Sequence, residues 1–397
     1  MNKHKLLLFT FILLTFIRCA RFEPAAPSDD QTLDGPIPGL SHEELAQFAR
    51  GDVAFNDEIF TEATGLGPIF VATSCGGCHP IDGKGHPFTT LTRFGQSDST
   101  GNKFKHLGGP QLQHRALPGY QPEQLPPDAP SAKFTPPANS GLGFLAYVTD
   151  ADLLAMSDPN DLDGDGISGR VNWVSIPEYA KTNENTIIQN GKYIGRFGKK
   201  ASVHSLLQQT ANAYNQDMGV NSILEPYDTW SGKLTEPEVS LNTINDVVFY
   251  LETLKAPVQR NANKPEVIQG KNTFVQLGCE SCHRSTMQSG DAPIQALRFK
   301  TFHPYTDLLL HDMGDELREP YTEGSAGTSE WRTPPLWGLG LSKQSQGGKY
   351  YLLHDGRAGS IEEAILFHGG EAQKSKTSYQ NLSSSEKMTL ITFLESL

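Results

Sequence analysis

Two stretches, Cys75-Gly76-Gly77-Cys78-His79 and Cys279-Glu280-Ser281-Cys282-His283, constrain this chain more than anything else in its sequence. They use four of its five cysteines. An even set of cysteines in an oxidising compartment could form disulfides, but that reading needs a histidine to follow both pairs by accident. Zinc would use Cys and His at finger-like spacing, yet it explains neither the fixed Cys-His adjacency nor the duplication. Two thiols three positions apart lie on one helical turn, where they reach the two vinyl groups of one porphyrin. The next residue then projects to the iron as its proximal imidazole. The sequence therefore predicts two covalently attached c-type haems, on Cys75 and Cys78 with His79, and on Cys279 and Cys282 with His283.

A cationic start at Lys3, His4 and Lys5 followed by an apolar run from Leu6 to Ile17 reads as an export signal. Cys19 directly after it suggests a lipid-modified first residue of the mature chain, although Arg18 stands where a lipobox has a small residue. Residues 1–19 are thus expected to be a leader and 20–40 a polar tether. The protein is expected to be exported to the periplasm or cell envelope and to meet a membrane only through its N-terminal lipid. A formal net charge of −12 offers no basic footprint for nucleic acid, while leaving a basic redox partner free to dock.

The second motif follows Val267, Gly270, Phe274, Leu277 and Gly278, apolar or small residues at roughly helical spacing. The first has a looser counterpart in Leu45 to Gly51 and Phe55. A further repeat joins Val247 to Leu254 with Leu390 to Leu397, both ending Leu-Glu-(Thr/Ser)-Leu. Thr235 to Glu238 and Ser383 to Glu386 resemble helix starts with an acidic first turn. The expected fold is mainly α: two cytochrome c-like helical domains with long loops, the first over 41–260 and the second over 265–397. At 397 residues the chain is long for two minimal units, so the first is expected to carry an insertion over 95–240.

That insertion contains Asp161-Leu162-Asp163-Gly164-Asp165-Gly166-Ile167. Asp161, Asp163 and Asp165, spaced alternately before a glycine, can converge on a hard cation, and calcium is the natural candidate. Asn172 stands where an EF-hand has its glutamate, and a solvated Asp/Gly turn is the alternative.

Together these residues resemble the bacterial di-haem oxidoreductase family, often labelled thiol oxidoreductase, within the wider group of di-haem cytochrome c peroxidases. The resemblance rests on Gly65-Leu66-Gly67-Pro68, Asp163 to Arg170, Gly195-Arg196-Phe197-Gly198, Asp217-Met218-Gly219, Leu309 to Gly314, Arg332 to Gly338 and Leu353 to Arg357. It implies a sixth ligand for the second iron near the end of the segment Ser360 to Ile365, where His368 stands in place of the peroxidase methionine; Met313 is the rival. For the first iron, His86, His106, His114, His204, Met218 and an open position all remain. Arg196 is a candidate for a propionate or peroxide, with an ion pair as the alternative. Trp331 and Trp337 are candidates for an electron path or for packing.

The expected function is electron transfer by a di-haem oxidoreductase, with peroxidase-type chemistry at the first haem and relay at the second. A small cytochrome or cupredoxin would be the redox partner and hydrogen peroxide the small oxidant. The competing expectation is a non-catalytic carrier or haem sensor with both irons six-coordinate. Thiol oxidation could not run through dithiol exchange if all four cysteines are thioether-linked.

Overall fold

In the computed structural model, residues 28–180, 182 and 185–397 are described, so the expected leader and Cys19 lie outside them. Residues up to Thr32 form one unit, whose described part is a single turn at Asp29–Gln31. Leu33–Leu397 forms the other. Helices dominate it, and the sheet among the described residues consists of two-stranded ribbons. No helix among the described residues is long and apolar enough to cross a membrane.

Two helix pairs set the frame. Helix α1 (His42–Asp52) begins at a capping box in which Ser41 and Glu44 satisfy each other's backbone N–H groups. It packs against helix α3 (Leu241–Thr253), which follows helix α2 (Leu206–Met218) in the chain. Helix α4 (Pro265–Gln276) starts with proline in its first turn, where the missing N–H costs nothing. It packs against the C-terminal helix α7 (Ser384–Ser396), which follows α5 (Ile361–Leu366) and α6 (Gln373–Gln380). Ser383 and Glu386 cap α7 as the sequence suggests. The other expected start is displaced: Ser240 caps α3 through Thr243 N, whereas Glu238 turns away to accept from Asn221 N at 2.9 Å.

Both pairs cross through a glycine. A Cβ on Gly51 would lie 2.1 Å from the Asp246 carbonyl oxygen and 2.6 Å from Tyr250 Cβ. On Gly270 it would lie 2.1 Å from the Thr389 oxygen and 2.6 Å from Phe393 Cβ. Four residues after each glycine, a phenylalanine ring meets the buried aromatic of the facing helix, Phe55 with Tyr250 at 5.6 Å and Phe274 with Phe393 at 5.4 Å. Burying such a ring contributes about 1.5–3 kcal/mol, which helps hold each crossing. The difference lies downstream, because five positions separate Phe274 from Cys279 and twenty separate Phe55 from Cys75.

The intervening segments are mostly loops that return to a shared core. Leu145, Leu153 and Ile194 pack in one apolar cluster with Leu308, Leu309 and Trp337, which also contacts Phe302 at 6.0 Å between ring centres. Strands β1 (Leu91–Phe94) and β2 (Ser131–Phe134) pair antiparallel, as do β3 (Asn172–Val174) and β4 (Tyr193–Gly195). Strands β5 (Leu310–Asp312) and β6 (Glu330–Arg332) form a third ribbon in register Leu310↔Arg332 and His311↔Trp331.

Candidate haem sites

Cys75–Cys78 forms one helical turn, capped by Ser74 Oγ accepting from Gly77 N at 3.2 Å. His79 closes it by donating its backbone N–H to Cys75 O at 3.0 Å. In the second motif His283 donates likewise to Cys279 O at 3.0 Å. Neither pair is disulfide-bonded. Burial pushes the thiols of Cys75, Cys78 and Cys279 up to about 12, so they stand as neutral thiols.

The two imidazoles are oriented in the same way. His79 Nδ1 donates to Pro137 O at 2.9 Å and His283 Nδ1 to Tyr305 O at 3.0 Å. A carbonyl accepts only, so each proton is held on Nδ1 and each Nε2 lone pair is left for a metal. Burial lowers both pKa values to about 4; the charge of Lys199 adds to this at His79, and that of His368 at His283. Both rings are therefore neutral, as iron ligation requires. Phe55 lies 5.9 Å from the His79 ring and Phe274 6.4 Å from the His283 ring. Paired thiols, a preset imidazole and an aromatic wall fit a haem at both motifs.

The surroundings differ. At the second motif, His368 Nδ1 donates to Ala364 O at 2.8 Å, again directing Nε2 outward, and burial lowers its pKa. Met313 instead joins the aromatic cluster of Phe134, Tyr321 and Trp331. At the first motif, Met218 is buried with Phe60, Phe70 and Tyr214, in a cluster that also touches Cys75. His204 donates Nδ1 to Ile194 O at 2.8 Å. His86 Nδ1 accepts from Phe88 N at 3.2 Å, while His106 and His114 are exposed. A cavity of about 230 Å³ opens beside Gly77 and Cys78, bordered by Val71, Phe88, His114 and Arg115. The charge of Asp217 reaches both Cys75 and Cys78, and burial raises its carboxyl to about 7 against the pull of Arg93.

Several groups here escape sequence reasoning. His311 is 3% exposed and is clamped between Asp307 Oδ2, 2.8 Å from Nε2, and Glu371 Oε2, 2.6 Å from Nδ1. Its Nδ1 also lies 3.5 Å from Cys282 Sγ. Burial alone would deprotonate this ring, but the two carboxylates outweigh it and raise its pKa well above the ordinary value. Glu371 is fixed in turn by Ser168, whose N and Oγ donate to it at 3.0 and 2.9 Å. The only hint in the sequence was His311's place in the Leu309 to Gly314 stretch. Trp331 stacks on His354 at 3.8 Å and carries Lys200 Nζ over its ring at 3.7 Å.

Two expectations change. Arg196 forms an ion pair with Asp150 at 2.6 Å and also donates to Val148 O; the pair is buried, where an ordinary surface ion pair was the alternative. In the acidic loop the oxygens of Asp158, Asp161 and Asp163 gather within 4.8 Å of one another. Asp165 is not in that group; its Oδ1 accepts from Ile167 N at 2.8 Å. Asn172 is buried elsewhere, donating to Lys200 O and Glu323 O.

The helical frame and two imidazole-bearing cysteine motifs fit a haem protein. The chain belongs to the family described as "Di-haem oxidoreductase, putative peroxidase", whose model matches residues 135–397. That match contains the second motif and ends short of the first. The family is one of two haems. A Kuenenia stuttgartiensis hydrazine synthase, solved under xenon pressure, is similar in structure at 14% identity and a TM-score of 0.42, covering 95% of this chain and 94% of that one. No curated protein matches the sequence.

Proposed function

We propose that this is an exported, lipid-anchored c-type oxidoreductase of peroxidase type. Haem would be held through thioethers at both motifs, in two cytochrome c-like units built on the α1–α3 and α4–α7 pairs. Hydrogen peroxide would be reduced at the His79 site, and electrons would enter at the His283 site from a small cytochrome or cupredoxin. Bound haem supplies the one-electron chemistry that such a reaction needs. The chain's own groups supply the asymmetry.

The carrying observation is that His368 binds Ala364 O through Nδ1 and so offers Nε2, next to Phe367 in the apolar cluster of Phe274 and Cys279. A bis-imidazole site favours relay, and a site with cavity access and a buried carboxyl, Asp217, favours small-molecule chemistry. The acidic loop is read as a divalent-cation site centred on Asp158, Asp161 and Asp163, to be tested by calcium calorimetry.

Electron paramagnetic resonance of the purified holoprotein, combined with peroxide-dependent oxidation of a reduced cytochrome, tests the proposal. One high-spin and one low-spin haem with turnover is expected. Two low-spin haems indifferent to peroxide would leave the non-catalytic carrier. Replacing Cys75 and Cys78 by alanine should remove one haem and all turnover while leaving the second haem's spectrum.

A further inference from the structure

Three cations, Lys84, Lys199 and Arg332, remain without a role. Lys84 lies on the loop after the motif: a Cβ on its neighbour Gly85 would stand 2.6 Å from Cys78 O, and Gly85 N donates to Pro136 O at 3.0 Å. That places Gly85 against the residue before Pro137, whose carbonyl holds His79. Lys84 Nζ donates to Leu353 O at 2.9 Å. Lys199 and Arg332 are locked together, since Arg332 N donates to Lys199 O at 3.0 Å and Arg332 Nε to Gly198 O at 2.9 Å. Nearby Phe197 shares the apolar cluster of Phe55, the residue packed on His79.

The carboxylates whose charge reaches these cations are already committed. Asp355 binds Arg357 at 2.7 Å, and Asp307 binds His311 at 2.8 Å. Burial pulls all three cations down, Lys84 well below its ordinary value, Lys199 to about 7 and Arg332 to about 10; neighbouring cations add to this at both lysines. Half-buried cations with no ion-pair partner of their own among the described residues describe an anion site. Haem brings two propionate carboxylates. The second site is the reverse, because Asp307 and Glu371 surround a single imidazolium beside Cys282.

We propose that Lys84, Lys199 and Arg332 form the carboxylate cradle of the haem held at Cys75, Cys78 and His79, and that their charge raises its reduction potential above that of the other haem. This rests on haem binding at the first motif. Nearby positive charge disfavours ferric iron more than ferrous, so a cation-lined haem accepts an electron more readily. Electrons arriving at the His283 site would then run downhill to the His79 site.

The test is potentiometric titration of the full-length holoprotein, followed by visible spectra, with haem content from intact mass. In Lys199→Gln combined with Arg332→Gln, both haems should be retained and the first-site potential should fall by at least 59 mV, a tenfold change in a one-electron equilibrium. The second-site potential should stay where it was. Lys84→Met, which removes a single carbonyl bond, is a milder variant expected to shift the same potential in the same direction. Two haems with an unmoved first-site potential, or a shift confined to the second, would overturn the cradle. Loss of a lysine-ligation band from the near-infrared spectrum in Lys199→Gln would overturn it too, by placing Lys199 on the iron. A wild-type protein with only one haem overturns instead the attachment on which the cradle depends.

Discussion

Gly270 passes so close beneath Phe393 that a single added carbon would come within 2.6 Å of the phenylalanine Cβ. The nearer obstacle is backbone, the Thr389 carbonyl at 2.1 Å, which cannot swing aside. Gly270→Ala should therefore destabilise the fold by about 1–3 kcal/mol, despite alanine's roughly 1 kcal/mol advantage inside a helix. Gly51→Ala should behave alike. Urea midpoints of the two holoprotein variants check this, and an unchanged midpoint for either would show that its crossing relaxes.

Removing His311 leaves Asp307 and Glu371 facing each other without their shared cation. His311→Leu should cost about 3–5 kcal/mol, as expected for breaking a buried charge group. Thermal unfolding of the variant against the wild type measures it.

The same clamp fixes a pH window. The raised pKa of His311 means that its contribution is complete below the ordinary value of 6.5 and fades as pH climbs through the folded value. Glu371, lowered from 4.5 despite its burial because His311 outweighs the cost, contributes fully above 4.5 and fades as pH falls through its folded value. Between those ordinary values both contributions are complete. The difference in stability between wild type and His311→Leu should be largest there and should shrink on either side.

At the second motif, His368→Ala should convert a low-spin haem to a high-spin one without loss of haem, read by electron paramagnetic resonance. His368→Met should stay low-spin and raise the potential, because thioether ligation favours ferrous iron over imidazole ligation. A spectrum unmoved by both changes would take His368 off the iron.

Asp217→Asn tests proton transfer at the first site. Peroxide turnover should fall by roughly 10²–10⁴-fold, the usual contribution of a positioned acid or base, with the haem spectra retained. Because the carboxyl sits at about 7, wild-type kcat/KM should rise as pH passes upward through that value, and the variant should lose this limb.

How much of this was legible in the sequence follows from the range of each interaction. The helix crossings were readable because they repeat locally: Gly51 with Phe55 and Gly270 with Phe274 each lie one turn apart on one helix face. The two Cys-x-x-Cys-His motifs stand out in the sequence because each is contained in five residues. Lys84, Lys199 and Arg332 were not, since lysine and arginine are ordinarily surface residues and only the closed chain brings these three together. The acidic loop was half readable, as the folded turn brings Asp158, which lies outside the alternating pattern, to Asp161 and Asp163.

The β5–β6 ribbon gives the molecule an order of assembly. His311, beside Cys282, is paired with Trp331, and the next residue, Arg332, is bonded to the Gly198-Lys199 turn of the first site. Leu353, which receives Lys84, comes later still. A chain synthesised N-terminus first presents Cys75 and Cys78 long before these residues arrive. The first motif is therefore an open turn until the last third of the chain closes the region around it.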